Sequence, residues 1–211
     1  DYIVYEANGN GTGITNAVRV SNSGDVVVAE NEFDISIPSS YVPWAEIPPG
    51  SGNWVSSPIS EGIVFDNCTH LELYANEINV DYNDVVGSYD TIYAVDVKNS
   101  DNANVESNNI NAKGHTYIYG LIISGENFTV WENNITSESD SYYANGIDVE
   151  GMASGVVKEN NIEANSPNSA YPIYSSMSGK NVEVEYVNNN ISGKSAVVYG
   201  MSLGGTKETN R

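Results

Sequence analysis

Asp96 and Asp148 hold the same place in two copies of a short strand, Ala94-Val95-Asp96-Val97 and Gly146-Ile147-Asp148-Val149. The apolar residues on either side point one way, so both carboxylates point the other. Two carboxyl groups on one face are the minimal equipment for acid–base cleavage of a glycosidic bond. Two rungs of a parallel sheet would set them about 10 Å apart, just beyond the roughly 6.5–9.5 Å of inverting glycosidases. Ile122, in the copy between them, is an apolar neighbour able to raise a carboxyl pKa. No polar group that would position a water stands out beside it. Tyr93, Tyr119 and Tyr199 each precede the Gly or Ala that opens such a strand. They flank the same face, either as a stripe for stacking on sugar rings or as cover for the edge of a core.

Other residues offer chemistry with less pattern behind it. Asp81, Asp84 and Asp90 sit in a short acidic stretch that can supply oxygen ligands to Ca²⁺ or simply stay solvated. The stretch has neither EF-hand spacing nor the nonapeptide of calcium-binding β-rolls. A long excursion at about 36–60 holds five of the seven prolines together with Trp44 and Trp54. Those rings serve either to contact sugars or to pin the excursion down. Asn-x-Ser/Thr sequons occur at Asn10, Asn67, Asn127, Asn134 and Asn190. The first three are the better candidates for glycosylation, since the last two are expected to sit inside the corner ladder described below. Cys68 is the only cysteine, and His70 and His115 are far apart, so no intrachain disulfide and no Cys/His zinc pattern is available.

Charge narrows the partners further. The chain carries 28 Asp and Glu against 8 Lys and Arg, a formal charge of −20. Nucleic acid and anionic membrane are poor partners for such a surface, and cations, Ca²⁺ among them, are plausible ones. No apolar run is long enough to span a bilayer, so direct membrane insertion is not expected.

The elements that must position these residues come from a repeat. Strands of apolar-x-apolar pattern run into Asn and close on a core-type residue at Asn108-Asn109-Ile110, Asn133-Asn134-Ile135, Asn160-Asn161-Ile162 and Asn189-Asn190-Ile191. Two earlier copies read Asn31-Glu32-Phe33 and Asn76-Glu77-Ile78. The closing residues are 45, 32, 25, 27 and 29 positions apart, the period of stacked supersecondary units. Val105 and Ile110 both read as core yet are five apart, so one residue between them must reset the alternation. Asn suits that place, because it enters the left-handed region readily. Stacked at rungs about 4.8 Å apart, Asn31, Asn76, Asn108, Asn133, Asn160 and Asn189 form an amide ladder. A second strand precedes each turn, with Gly or Ala first, as at Gly62-Ile63-Val64-Phe65 and Gly120-Leu121-Ile122-Ile123. Its second and fourth positions face inward and its third faces out. The reading is an all-β chain, a right-handed parallel β-helix solenoid of about six to seven coils.

These coils, with apolar inward columns, Asn at one corner and variable loops at another, resemble the right-handed parallel β-helix of the pectate lyase-like superfamily. The Glu-Asn-Asn-Ile and Ser-Asn-Asn-Ile phrasing, with abundant Tyr and little Arg, is more similar to repeats of adhesin-like surface proteins of methanogenic archaea. The resemblance runs from about Gly13 to Leu203. It implies an extracellular, cell-surface module for attachment or glycan recognition. A polysaccharide lyase or hydrolase and a ligand-free structural stalk are the alternatives. The lyases of the superfamily need a basic residue beside Ca²⁺-binding carboxylates, and this chain offers only Arg19 and Arg211, neither placed with an Asp cluster. The Asn-Thr-Asp, Asp-Asp and Gly-His-Gly signatures of the hydrolases are also missing, so no catalytic role carries over. Residues 1–211 are expected to be one β-helix domain, a segment of a longer surface protein, because Leu203 opens a coil that does not close.

Overall fold

The computed structural model describes residues 2–6, 15–38, 59–83, 91–179 and 182–207. Among these residues every regular element is a β-strand and the named strands pair in parallel, so the chain is a parallel β-solenoid. A typical coil contributes three strands, as Ile59–Asp66, Leu71–Tyr74 and Glu77–Asn83 do. The first face stacks Thr15–Ser21, Ile59–Asp66, Thr91–Lys98 and the first halves of Tyr117–Trp131 and Tyr143–Lys158, then Ser169–Gly179 and Met201–Lys207. The third face stacks seven strands from Tyr2–Glu6 to Asn190–Lys194. The narrow second face joins them.

The stack makes about five turns, not six to seven. Six copies of a motif enclose only five intervals, and the flanking strands Tyr2–Glu6 and Met201–Lys207 add no complete turn. The register is the expected one. Phe33, Ile78, Ile110, Ile135, Ile162 and Ile191 are successive partners across the third face. On the first face Ile63, Val95, Leu121, Ile147, Ile173 and Met201 form the matching column. The two columns meet in one continuous core from Phe33 to Ile173. Leu203 is in register with Ser175 but remains 56% exposed, since no described rung lies beyond it.

The corner that resets the alternation is built differently from the expectation. The ladder asparagines do not take the left-handed conformation themselves. The preceding residue does, at Glu30, Ala75, Ser107, Glu132, Glu159 and Asn188, with φ between 53° and 57°. Bending one residue early turns the Asn side chain inward, where it can stack. In each internal copy the side-chain NH₂ and the backbone NH both donate to Oδ1 of the next Asn. Asn108 does so to Asn133 at 3.0 and 2.9 Å, and Asn133 to Asn160 at 3.0 and 3.0 Å. The ladder runs unbroken from Asn31 to Asn189.

Asn134 and Asn190 belong to a second ladder, on the outer side of the same face, rather than to this one. There Asn190, Asn161, Asn134 and Asn109 donate backward along the stack, each to the preceding coil, ending on both carboxylate oxygens of Glu77 at 2.8 Å. The two ladders therefore polarise in opposite directions. A serine closes the third corner: Ser139 Oγ donates to carbonyls of the preceding coil and accepts the Tyr142 NH at 3.1 Å, and Ser166 repeats the arrangement one coil on.

Candidate functional site

The first-face strands bend at the Gly/Ala column, where Ser169–Gly179 has Pro172 instead, and the bend gathers the polar residues. Ala144 faces in, Asn145 faces out, Gly146 and Ile147 both face in, and Asp148 faces out again. At Gly120 the reason for glycine is contact, since an added Cβ would lie 2.6 Å from Ile135 Cγ2 and 2.8 Å from the Gly146 carbonyl oxygen. The bend puts residues three apart on one outer face, so Asn145 Nδ2 donates to Asp148 Oδ2 at 3.1 Å.

Two columns make up this face. One runs Asn16, Glu61, Tyr93, Tyr119, Asn145, Tyr171, Tyr199 and the other Val64, Asp96, Ile122, Asp148, Tyr174, Ser202. Asp96 and Asp148 are thus two rungs apart with Ile122 between them, as their spacing implies. They are not open to solvent, however: Asp96 is 4% exposed and Asp148 2%. Val64 and Ile122 are buried without joining the interior core, so this outer face is closed over around both carboxyls.

The two carboxyls live in different surroundings. Lys98 Nζ bridges Asp96 Oδ2 at 2.8 Å and Glu61 Oε1 at 2.9 Å. Arg19 lies 3.9 Å from Glu61 Oε2 and pairs with Asp66 at 2.6 Å. Burial holds the Asp96 carboxyl above the usual range; Lys98 opposes that shift and Glu61 adds to it. Burial pulls the Lys98 ammonium down, but its two hydrogen bonds outweigh the burial and the net shift is upward. Asp148 has no such cation. Burial, with Glu150 adding to it, pushes its carboxyl up to about 8. Asp148 Oδ1 and Asn145 Oδ1, both buried, have no hydrogen-bond partner among the described residues.

Tyrosines run along the face beside these groups. Ring centroids are 5.0 Å apart from Tyr93 to Tyr119, 5.7 Å from Tyr119 to Tyr143, 4.9 Å from Tyr143 to Tyr171 and 4.7 Å from Tyr171 to Tyr199. Tyr143 leaves its own column, where it pairs with Tyr117, and fills the gap that Asn145 leaves in the file. Burial, with the Asp and Glu side chains of the face adding to it, pushes the Tyr93 hydroxyl up to about 12. Burial also raises Tyr119 and Tyr143, so the phenols keep their protons and remain donors. Stacked rings spend their faces on each other and present edges and hydroxyls outward.

The remaining candidates are dispersed. Asp81 is exposed on the third face, while Asp84 and Asp90 lie outside the described residues, as do Trp44, Trp54 and Asn10. Among the described residues no three His, Cys, Asp or Glu side chains converge as a metal site. Asn67 and Asn127 are both exposed in the left-handed region, and Asn67 donates to Asn22 at 2.8 Å. Sequence reasoning missed Glu61, Asn145, Tyr143 and Tyr171. Reading the position before every Gly/Ala, rather than only its tyrosines, would have found Glu61 and Asn145, whereas Tyr171 precedes Pro172, in the coil that follows the pattern most loosely. Tyr143 gives no such signal, because it enters the file only by leaning out of its column. Comparison with family models, with curated proteins and with solved structures gives no match.

Proposed function

We propose that this protein is an extracellular recognition module that holds a glycan along the outer first face of its solenoid, on a cell surface. The observation that carries the reading is the continuous file from Tyr93 to Tyr199, running parallel to the axis beside recessed polar side chains. A polysaccharide is itself a periodic rod, and a file of phenolic hydroxyls and ring edges repeating at about 4.8 Å offers it register along its length. Rigid aromatic side chains also supply contact area at low entropic cost. The resemblance of the Asn-Asn-Ile repeats to adhesin-like surface proteins of methanogenic archaea, within a pectate lyase-like β-helix, supports the same reading. A formal charge of −20 makes nucleic acid an unsuitable partner.

The test is a glycan array on the intact chain, followed by affinity measurements on Tyr119→Ala and Tyr171→Ala. Binding without turnover that weakens in both variants upholds recognition. Loss of stability in the variants, with no glycan bound by the parent, would make the file a structural stiffener.

A second reading, glycoside hydrolysis, is favoured by one observation: Asp148 is a carboxyl held protonated near neutral pH, the property of a general acid. Asp96 would then be the base. Its engagement with Lys98, and Ile122 between the two, weigh against that role. Release of reducing ends from a bound polysaccharide, abolished by Asp148→Asn, would establish it.

A further inference from the structure

We infer that Asn145 and Asp148 form a recessed hydrogen-bonding pair for the hydroxyl groups of an uncharged saccharide. This rests on the glycan-recognition reading above and narrows it to a ligand class. Buried polar atoms are nearly always satisfied, so orphans call for a partner. Here two orphan oxygens sit on adjacent side chains, Asn145 Oδ1 and Asp148 Oδ1, which are already joined to each other through Asn145 Nδ2 and Asp148 Oδ2 at 3.1 Å. Asn145 occupies the place that Tyr93, Tyr119, Tyr171 and Tyr199 take in other rungs, so it interrupts the aromatic column at one rung. The pair is itself buried, Asn145 at 0% and Asp148 at 2% exposed, with the Tyr143 ring leaning over the gap, so a saccharide hydroxyl reaches it only when that ring moves aside.

The corresponding polar group nearer the N terminus carries its own cation, although Glu61 Oε2 and Asn16 Oδ1 there are also buried without a hydrogen-bond partner among the described residues. There Lys98 bonds Glu61 and Asp96 together, whereas no Lys or Arg is paired with Asp148 among the described residues. An uncharged hydroxyl satisfies both orphans without adding charge, since a carboxyl oxygen that keeps its proton can donate while the amide oxygen accepts. A uronate would bring its carboxylate toward Glu150 and into a strongly negative surface. A divalent cation needs several oxygen ligands, and no group of three acidic or His/Cys side chains converges among the described residues.

The experiment titrates the full chain with neutral gluco- and manno-oligosaccharides, with oligogalacturonate and with CaCl₂ alone, following the Asn145 side-chain NH₂ resonances and calorimetric affinity. A neutral oligosaccharide is expected to shift those resonances. Asn145→Ala and Asp148→Ala are each expected to weaken its binding by tenfold or more. Either deletion also breaks the Asn145–Asp148 hydrogen bond and so lowers the melting temperature, and it is the Asn145 resonances of the parent that separate binding from a structural role. Unshifted Asn145 resonances on saturation of the parent, which need no variant to fold, would overturn the inference. So would unchanged affinity in both variants, tighter binding of oligogalacturonate, or a response to CaCl₂ alone. If a neutral glycan binds and Tyr119→Ala abolishes binding while the two node variants do not, the pair is excluded and the file stands. If no saccharide binds the parent at all, both readings fall.

Discussion

Removing the Asn133 side chain should be among the most costly single truncations at the corner. Asn133 is 1% exposed and sits at the middle of the inner ladder. Its NH₂ donates to the Val105 carbonyl at 2.9 Å, the Trp131 carbonyl at 3.0 Å and Asn160 Oδ1 at 3.0 Å. Its Oδ1 accepts the backbone and side-chain NH groups of Asn108. With Ala at 133, Asn108 keeps its side-chain bond to the Leu73 carbonyl and Asn160 keeps the Asn133 backbone NH, so those two groups are partly rescued. The Asn108 backbone NH is not. An orphaned buried group costs about 1–3 kcal/mol, and the lost bonds to the two carbonyls add to it, giving roughly 3 kcal/mol in all. Asn31→Ala, half-buried at the start of the ladder, loses the side-chain bonds to Asn76 Oδ1 and the Ala29 carbonyl but keeps the backbone NH on Asn76 Oδ1, and should cost about 1 kcal/mol. Asn134→Ala, one residue along but in the exposed outer ladder, should stay within about 0.5 kcal/mol. Urea melts of the three variants against the parent, read by circular dichroism, would decide it. The order Asn133, Asn31, Asn134 is the prediction, and equal costs at 133 and 134 would refute the account of the corner.

Ile135 is fully buried between Ile110 and Ile162, so Ile135→Ala should open a cavity and cost about 2–5 kcal/mol in the same melts. Gly120→Ala should destabilise by about 1–3 kcal/mol, because its Cβ meets Ile135 and the Gly146 carbonyl. Asp148 gives a pH signature. Burial raises its pKa from the ordinary 3.8 to about 8 in the fold, so the native state binds the proton more tightly. The stability this contributes is complete below the unfolded pKa and is lost as pH rises through the folded one. Asp148→Asn should therefore reduce the drop in melting temperature between about pH 5 and pH 8; an unchanged drop would assign it to general surface charge. Added salt should raise the melting temperature of a chain with a formal charge of −20 by screening, and a larger gain in Ca²⁺ at matched ionic strength would mark specific binding.

The repeat made the fold legible before any coordinates. Strand alternation has period two, so the five-residue step from Val105 to Ile110 demanded a corner, and six copies at one phase demanded a stack. Those are local, covalent constraints, and the register from Phe33 to Ile191 obeys them. The outward direction of Asp96 and Asp148 was equally a matter of parity. Their burial was not, because parity says which face a side chain takes and nothing about what covers that face. Nor could one strand reveal that Lys98 bridges Asp96 to Glu61, which is 37 residues earlier and comes near only through the pitch of the coil. The left-handed residue before each Asn, the second ladder with its opposite polarity, and the lean of Tyr143 into the gap above Asn145 are likewise decided between coils. Spacing within a chain fixes which residues recur on a face. Which of them meet, and in what charge state, depends on neighbours supplied by other turns of the solenoid.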